Sequence, residues 1–111
     1  MIRGFYFVKG DGNVQYSPTY NRGGLAAKFL FEILQKVGTT PQLAITIETK
    51  NIEDTSFVLL GTFTTITATG IYDLDLSSIR EQWRIGYQIT TATNQWEGFL
   101  INPLAPAWMA Y

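Results

Sequence analysis

In Gln42–Thr49, Leu43, Ile45 and Ile47 alternate with Ala44, Thr46 and Glu48. Successive side chains of an extended chain point to opposite faces, so such a run buries one face and wets the other only as a strand. Ile71–Leu76 repeats the pattern, with Tyr72, Leu74 and Leu76 opposite Asp73 and Asp75. Trp83–Thr91 does so again, with Trp83, Ile85, Tyr87 and Ile89 opposite Arg84 and Gln88. Short strands, about seven to nine of them with turn signals every ~8–12 residues, predict an all-β antiparallel sandwich, jelly-roll-like or Ig-like. Extended N- and C-terminal segments flank it. The expected division is an N-terminal hairpin and arm over 1–24, a sandwich core over 25–101 and an apolar C-terminal contact segment over 102–111.

Between these strands the signals are less uniform. Phe5–Lys9 and Val14–Tyr16 flank Gly10-Asp11-Gly12-Asn13, a sequence suited to a tight hairpin. Ser17–Gly24 reads as loop or arm. In Leu25–Val37, Leu25, Ala26, Phe29, Ile33 and Val37 fall at helical spacing, and Gly38 could end a helix. A helix would set Phe31 on the wet face among Lys28, Glu32, Gln35 and Lys36, so the strand reading is preferred. Gly38-Thr39-Thr40-Pro41 then reads as a hairpin into the next strand. Thr55–Leu60 is an apolar run broken at Gly61, and the threonines of Thr62–Thr69 favour a further strand. Ser77-Ser78 predict a helical turn through Gln82, and Thr91–Gln95 a polar turn into Trp96–Ile101. Phe29–Thr49 and Trp83–Ile101 share a layout of strand, threonine-rich turn and strand.

A chain of 111 residues with 46% hydrophobic content supports one domain with a real core. Its eight basic residues, Arg3, Lys9, Arg22, Lys28, Lys36, Lys50, Arg80 and Arg84, are scattered, and the formal charge is −1. Nucleic-acid binders concentrate basic residues against phosphates, so no nucleic-acid partner is expected. The start, Met1–Lys9, lacks the apolar run of a signal peptide, and no segment has the length of a membrane-spanning helix, so no membrane association is expected. With no cysteine and no histidine, disulfides, thiolate metal sites and imidazole chemistry are excluded.

The remaining constellations favour ordinary structure over chemistry. Asp73 and Asp75 share a strand face about 6.5–7 Å apart by strand rise, a spacing compatible with two-carboxylate hydrolysis. They also simply complete the polar face of an amphipathic strand. Asn51, Glu53 and Asp54 offer oxygens to calcium but too few for a full shell. Asp11 and Asn13 lack the later ligands of a calcium loop. Ser17, Ser56, Ser77 and Ser78 have no activating base, and Gly10-Asp11-Gly12 opens no phosphate-binding helix. The expectation is a protein that is not an enzyme, with no cofactor, no metal and no small-molecule ligand.

Every charged residue precedes Gly98, leaving Gly98–Tyr111 almost wholly apolar. Contiguous apolar surface drives association, so this tail either closes the sheet as a last strand or meets another protein. Trp83 falls on the inward parity of its strand and reads as core. Trp96, Leu104, Trp108, Met109 and Tyr111 are the candidate partner-interface residues, because exposed aromatic and large apolar groups anchor interfaces. Ordering a terminal arm costs about 1–2 kcal/mol per residue, so such arms must join a sheet or a neighbour.

From Leu30 onward one series of features resembles small β-sandwich capsid decoration (cement) or accessory head proteins of tailed phages. The series is the Gly38-Thr39-Thr40-Pro41 turn, Gln42-Leu43-Ala44-Ile45-Thr46-Ile47-Glu48, a polar loop, a phenylalanine-threonine segment with Gly70, Trp83-Arg84-Ile85 and a closing strand. The chain departs from that pattern in having Asn51-Ile52-Glu53-Asp54 in place of an Asp-Gly turn, and in its Phe5–Tyr16 segment. The resemblance implies a non-catalytic virion structural protein that binds the major capsid protein across subunits as a homo-oligomer. It implies synthesis in the host cytoplasm and residence on the capsid surface. The rival reading is a carbohydrate-binding β-sandwich module, with Trp96 or Tyr72 stacking on sugar rings.

Overall fold

A computed structural model describes residues 6–39, 41–90 and 96–109. They form β1 (Tyr6–Lys9), β2 (Gln15–Tyr16), β3 (Tyr20–Asn21), β4 (Ala26–Val37), β5 (Leu43–Lys50), β6 (Val58–Thr62), β7 (Gly70–Leu76), β8 (Gln82–Ile89), β9 (Gly98–Pro103) and β10 (Ala107–Met109). Among the described residues none is helical. The strands make two antiparallel sheets packed as a sandwich. In the first, β4 carries β7 on one edge, through Ala27–Ile33. On its other edge β9 pairs with Phe31–Val37 and β10 with Ala26–Lys28, end to end, and β1 lies outside β9. In the second, the order is β6, β5, β8, with β2 and β3 end to end along β8. The chain crosses between sheets at six of its nine connections, with β2 to β3, β5 to β6 and β9 to β10 each staying in one sheet. That succession is the double-sheet jelly roll rather than the Ig-like alternative.

Alternation accounts for the core. Leu43, Ile45 and Ile47 of β5 are fully buried, and Trp83, Ile85, Tyr87 and Ile89 of β8 nearly so. Facing them are Ala27, Phe29, Phe31 and Ile33 of β4, Phe99 and Ile101 of β9, and Val8 of β1. Phe31 decides the ambiguous segment. It is buried, meeting Phe63 and Tyr87 edge to face at 5.1 and 6.0 Å. Only period two turns Phe29, Phe31 and Ile33 to the same side. A bulge between Ile33 and Gln35 then interrupts the β4–β9 register.

Several local expectations are corrected. Phe5 lies outside the described residues, and β1 and β2 do not form a hairpin, because they belong to opposite sheets. Gly10–Asn13 is the crossover, where Asn13 N–H donates to Asp11 Oδ1 at 3.0 Å. The link after Val37 is likewise an arch between sheets, with Thr40 outside the described residues. The shared layout of Phe29–Thr49 and Trp83–Ile101 is two such crossings, and the predicted turn at Thr91–Gln95 lies outside the described residues. Gly61 sits within β6 beside a bulge against β5, and Leu76 occupies the space its Cβ would need. Thr62–Thr69 makes only the end of β6 and a bridge from Ile66 to Leu43.

The turn predicted after Ser77-Ser78 is not helical. Ser78 has φ 60°, and buried Ile79 donates its N–H to Leu25 O at 3.1 Å. The arm over 17–24 contributes β3 to the second sheet. The boundary at 101/102 falls inside β9, and among the described residues the apolar tail pairs within its own fold as the end of β9 and as β10.

Candidate partner-binding surface

The five candidate interface residues part company in the structure. Trp108 pairs with Ala27 at the start of β4 and faces inward. Its indole meets Phe29 at 6.3 Å and Trp83 at 6.0 Å, edge to face, while Tyr20 covers Trp83 at 4.8 Å. Gly23 lies against it so closely that a Cβ there would stand 2.7 Å from Trp108 Nε1. Trp108 therefore packs against its own core and is half-buried there. Leu104 is half-buried in the link between β9 and β10, its N–H bonded to Leu30 O at 3.1 Å. Half-buried Met109 lines a shallow open groove with Ala26, Asp75, Leu76 and Ser77. Tyr111 lies outside the described residues. Trp96 alone of the described candidates is strongly presented, at 75% exposure.

Trp96 stands two residues before β9, at the end of the first sheet opposite Trp108. Gly98 there pairs with Lys9 and with Val37, and the next outward-facing row is Phe7, Leu100 and Gln35. Phe7 and Val37 are each 37% exposed, and Leu34, the extra residue of the bulge, 38%. Phe7 also leans over Gly98, within 3.0 Å of where a Cβ would be. This half of the outer face thus carries the apolar groups Phe7, Leu34, Val37 and Leu100 with Lys9 and Gln35 in the same rows, and Trp96 just ahead of β9. The individual pairings were not foreseen, yet a signal was present. Phe99, Leu100 and Ile101 place apolar groups on both parities of β9, one more face than its own core uses.

The other half of the same face is charged. Lys28 Nζ sits 3.4 Å from Asp73 Oδ2 and 3.5 Å from Asp75 Oδ1. The fields of Asp75 and Asp73, with their hydrogen bonds, hold the Lys28 ammonium above its usual pKa. Both carboxylates are well exposed and salt-bridged, which is the polar-face reading of this pair. Asn102 donates to Glu32 Oε1 at 3.2 Å beside them.

The outer face of the second sheet is organised around Arg84. Its guanidinium carbon lies 3.8 Å from the Tyr16 ring centroid and 4.2 Å from that of Phe57, and its Nε donates to Glu48 Oε1 at 2.7 Å. This stack clamps β2 and the strand-to-strand loop onto β8, so the two rings are spent on the cation. Sequence reasoning missed the cluster because Tyr16, Phe57 and Arg84 are distant in the chain.

Of the three side chains considered for calcium, Asn51 and Asp54 are engaged within the protein. Asp54 Oδ2 accepts from Asn51 N–H at 2.8 Å and lies 3.3 Å from Arg80 Nη1. Asn51 Oδ1 accepts from Glu81 N–H at 3.5 Å. They tie the 51–54 loop to the start of β8. Tyr72, a candidate sugar platform, is half-buried on the inward side of β7 and donates its hydroxyl to Ala68 O at 2.8 Å. No family model, no curated protein and no solved structure matches this chain.

Proposed function

We propose that the protein is a non-catalytic virion structural protein, a capsid decoration or cement protein that works by contact with the major capsid protein and with copies of itself. The observation that carries this reading is the apolar half of the first sheet's outer face, with Trp96 75% exposed beside Phe7, Leu34, Val37 and Leu100. A patch of this size on a folded domain is often functional, and an exposed indole is a typical anchor of protein contacts. The jelly roll is a frequent architecture of virion proteins but also of lectins and others, so the fold alone does not select a function. The weight rests on the patch and on the phage resemblance.

The test is co-sedimentation with capsid shells that lack the protein. Binding at a stoichiometry fixed by the shell supports the reading, and absence of binding removes it. The exposed indole of Trp96 also keeps the carbohydrate reading in view. Titration with a glycan panel, followed by tryptophan fluorescence, decides it: saturable quenching that Trp96→Ala abolishes would replace capsid contact with sugar binding.

A further inference from the structure

We infer that the occupant of this apolar half-face is a second copy of the same chain, the two sandwiches pairing back to back about a twofold axis. The inference rests on the reading of the face as a contact surface and names what covers it. Three features favour a like copy. The face is the outside of a sheet, irregular only at the Leu34 bulge, and two sheets stack at about 10 Å. The formal charge is −1, so like copies meet little net repulsion. Area is the third. From the exposed fractions of Phe7, Leu34, Val37 and Trp96, with Leu100, the patch offers on the order of 400–500 Å² of apolar surface.

An isologous pairing uses that area twice. With the polar rim of Lys9, Gln35 and Asn102 it reaches roughly 1,000–1,200 Å² in total, the low end for a specific interface. A twofold is also the commonest closed symmetry and leaves no open patch to propagate. The result is a concentration-dependent dimer rather than an obligate one.

Sedimentation velocity of the full chain across a concentration series, without shells, tests this. Leu100→Glu and Val37→Glu serve as variants, with circular dichroism reporting their fold. Gln88→Glu, on the outer face of the second sheet, is the control. The expected result is a reversible monomer–dimer equilibrium, weakened at least tenfold by either face variant that keeps its fold and unchanged by the control. A chain that stays monomeric at every concentration overturns the inference, as does a dimer indifferent to folded face variants. A monomer whose shell binding is still lost in the face variants would overturn the pairing while leaving the contact surface standing. Shell binding indifferent to those variants would remove the contact surface as well.

Discussion

The indoles of Trp83 and Trp108 meet edge to face at 6.0 Å across the open end of the sandwich, joining β8 of one sheet to β10 of the other. Through this contact the apolar tail belongs to the core. Trp108→Ala should lower stability by about 2–3 kcal/mol, below the range for a fully buried tryptophan because this one is half-buried. Deleting 102–111 should cost more, since it also strips part of β9's pairing and leaves the Ala26–Lys28 edge open. Urea unfolding followed by circular dichroism measures both. A truncated chain as stable as the parent would refute the tail's structural role.

Gly23 offers a finer probe of the same contact. A side chain there would press on the rigid indole of Trp108, which cannot swing aside as a flexible chain end could. Gly23→Val is expected to destabilise by about 1–3 kcal/mol, as overpacking does. Combined with Trp108→Ala, most of that cost should vanish, and a double-mutant cycle reads the difference directly.

Arg84 should resist conservative replacement. Lysine keeps the charge but loses the flat guanidinium that lies between Tyr16 and Phe57 and meets Glu48. Arg84→Lys is expected to cost about 1 kcal/mol in thermal or urea unfolding. An unchanged midpoint would mean that the stack contributes nothing.

Alkali should destabilise the fold. Burial raises the Tyr20 phenol above its usual pKa, and Asp75 and Asp73 raise the Lys28 ammonium. A group whose pKa is higher when folded holds its proton in the native state after the unfolded chain has released it. Stability from both groups is therefore complete below about pH 10, their unfolded range, and is lost as pH rises through the folded values. Tyr20→Phe should flatten part of this fall, and Lys28→Met another part. Melting temperatures from pH 8 to 11.5 would show it, and identical slopes in all three proteins would contradict the assignment.

Asp73 and Asp75 should prove dispensable. Their exposed pairing with Lys28 belongs to the class of surface salt bridges worth about 0–1 kcal/mol. The Asp73→Asn, Asp75→Asn double variant should fold and associate like the parent by circular dichroism and sedimentation. Loss of a measurable hydrolytic turnover in that variant would restore the two-carboxylate reading.

Strands that alternate were legible because parity alone assigns their faces: Leu43, Ile45 and Ile47 go inward whatever the partner strand is. What pairs with what was not legible. Gly10–Asn13 and Gly38–Pro41 have turn chemistry that suits a hairpin, yet each links opposite sheets, a choice made by long-range pairing rather than by local residues. The tail misled for a related reason. An uncharged terminus is equally compatible with a partner and with an unfilled sheet edge, and only the open edge at Ala26–Lys28 favours the second. Of the proposed interface, Trp96 was visible as an indole beside a polar turn, while its neighbours Phe7 and Val37 reach it only through the registers of β1 and β4 with β9.

The central claim is that the apolar half of the first sheet's outer face is covered when the protein does its work. Hydroxyl-radical footprinting, which reports side-chain exposure, tests it on the free protein at low concentration and on the protein bound to shells. The account predicts that oxidation of Trp96 and Phe7 falls severalfold on assembly, while Tyr16, exposed at 49% on the opposite sheet, stays unchanged. Protection of Tyr16 with Trp96 and Phe7 still fully reactive would contradict it.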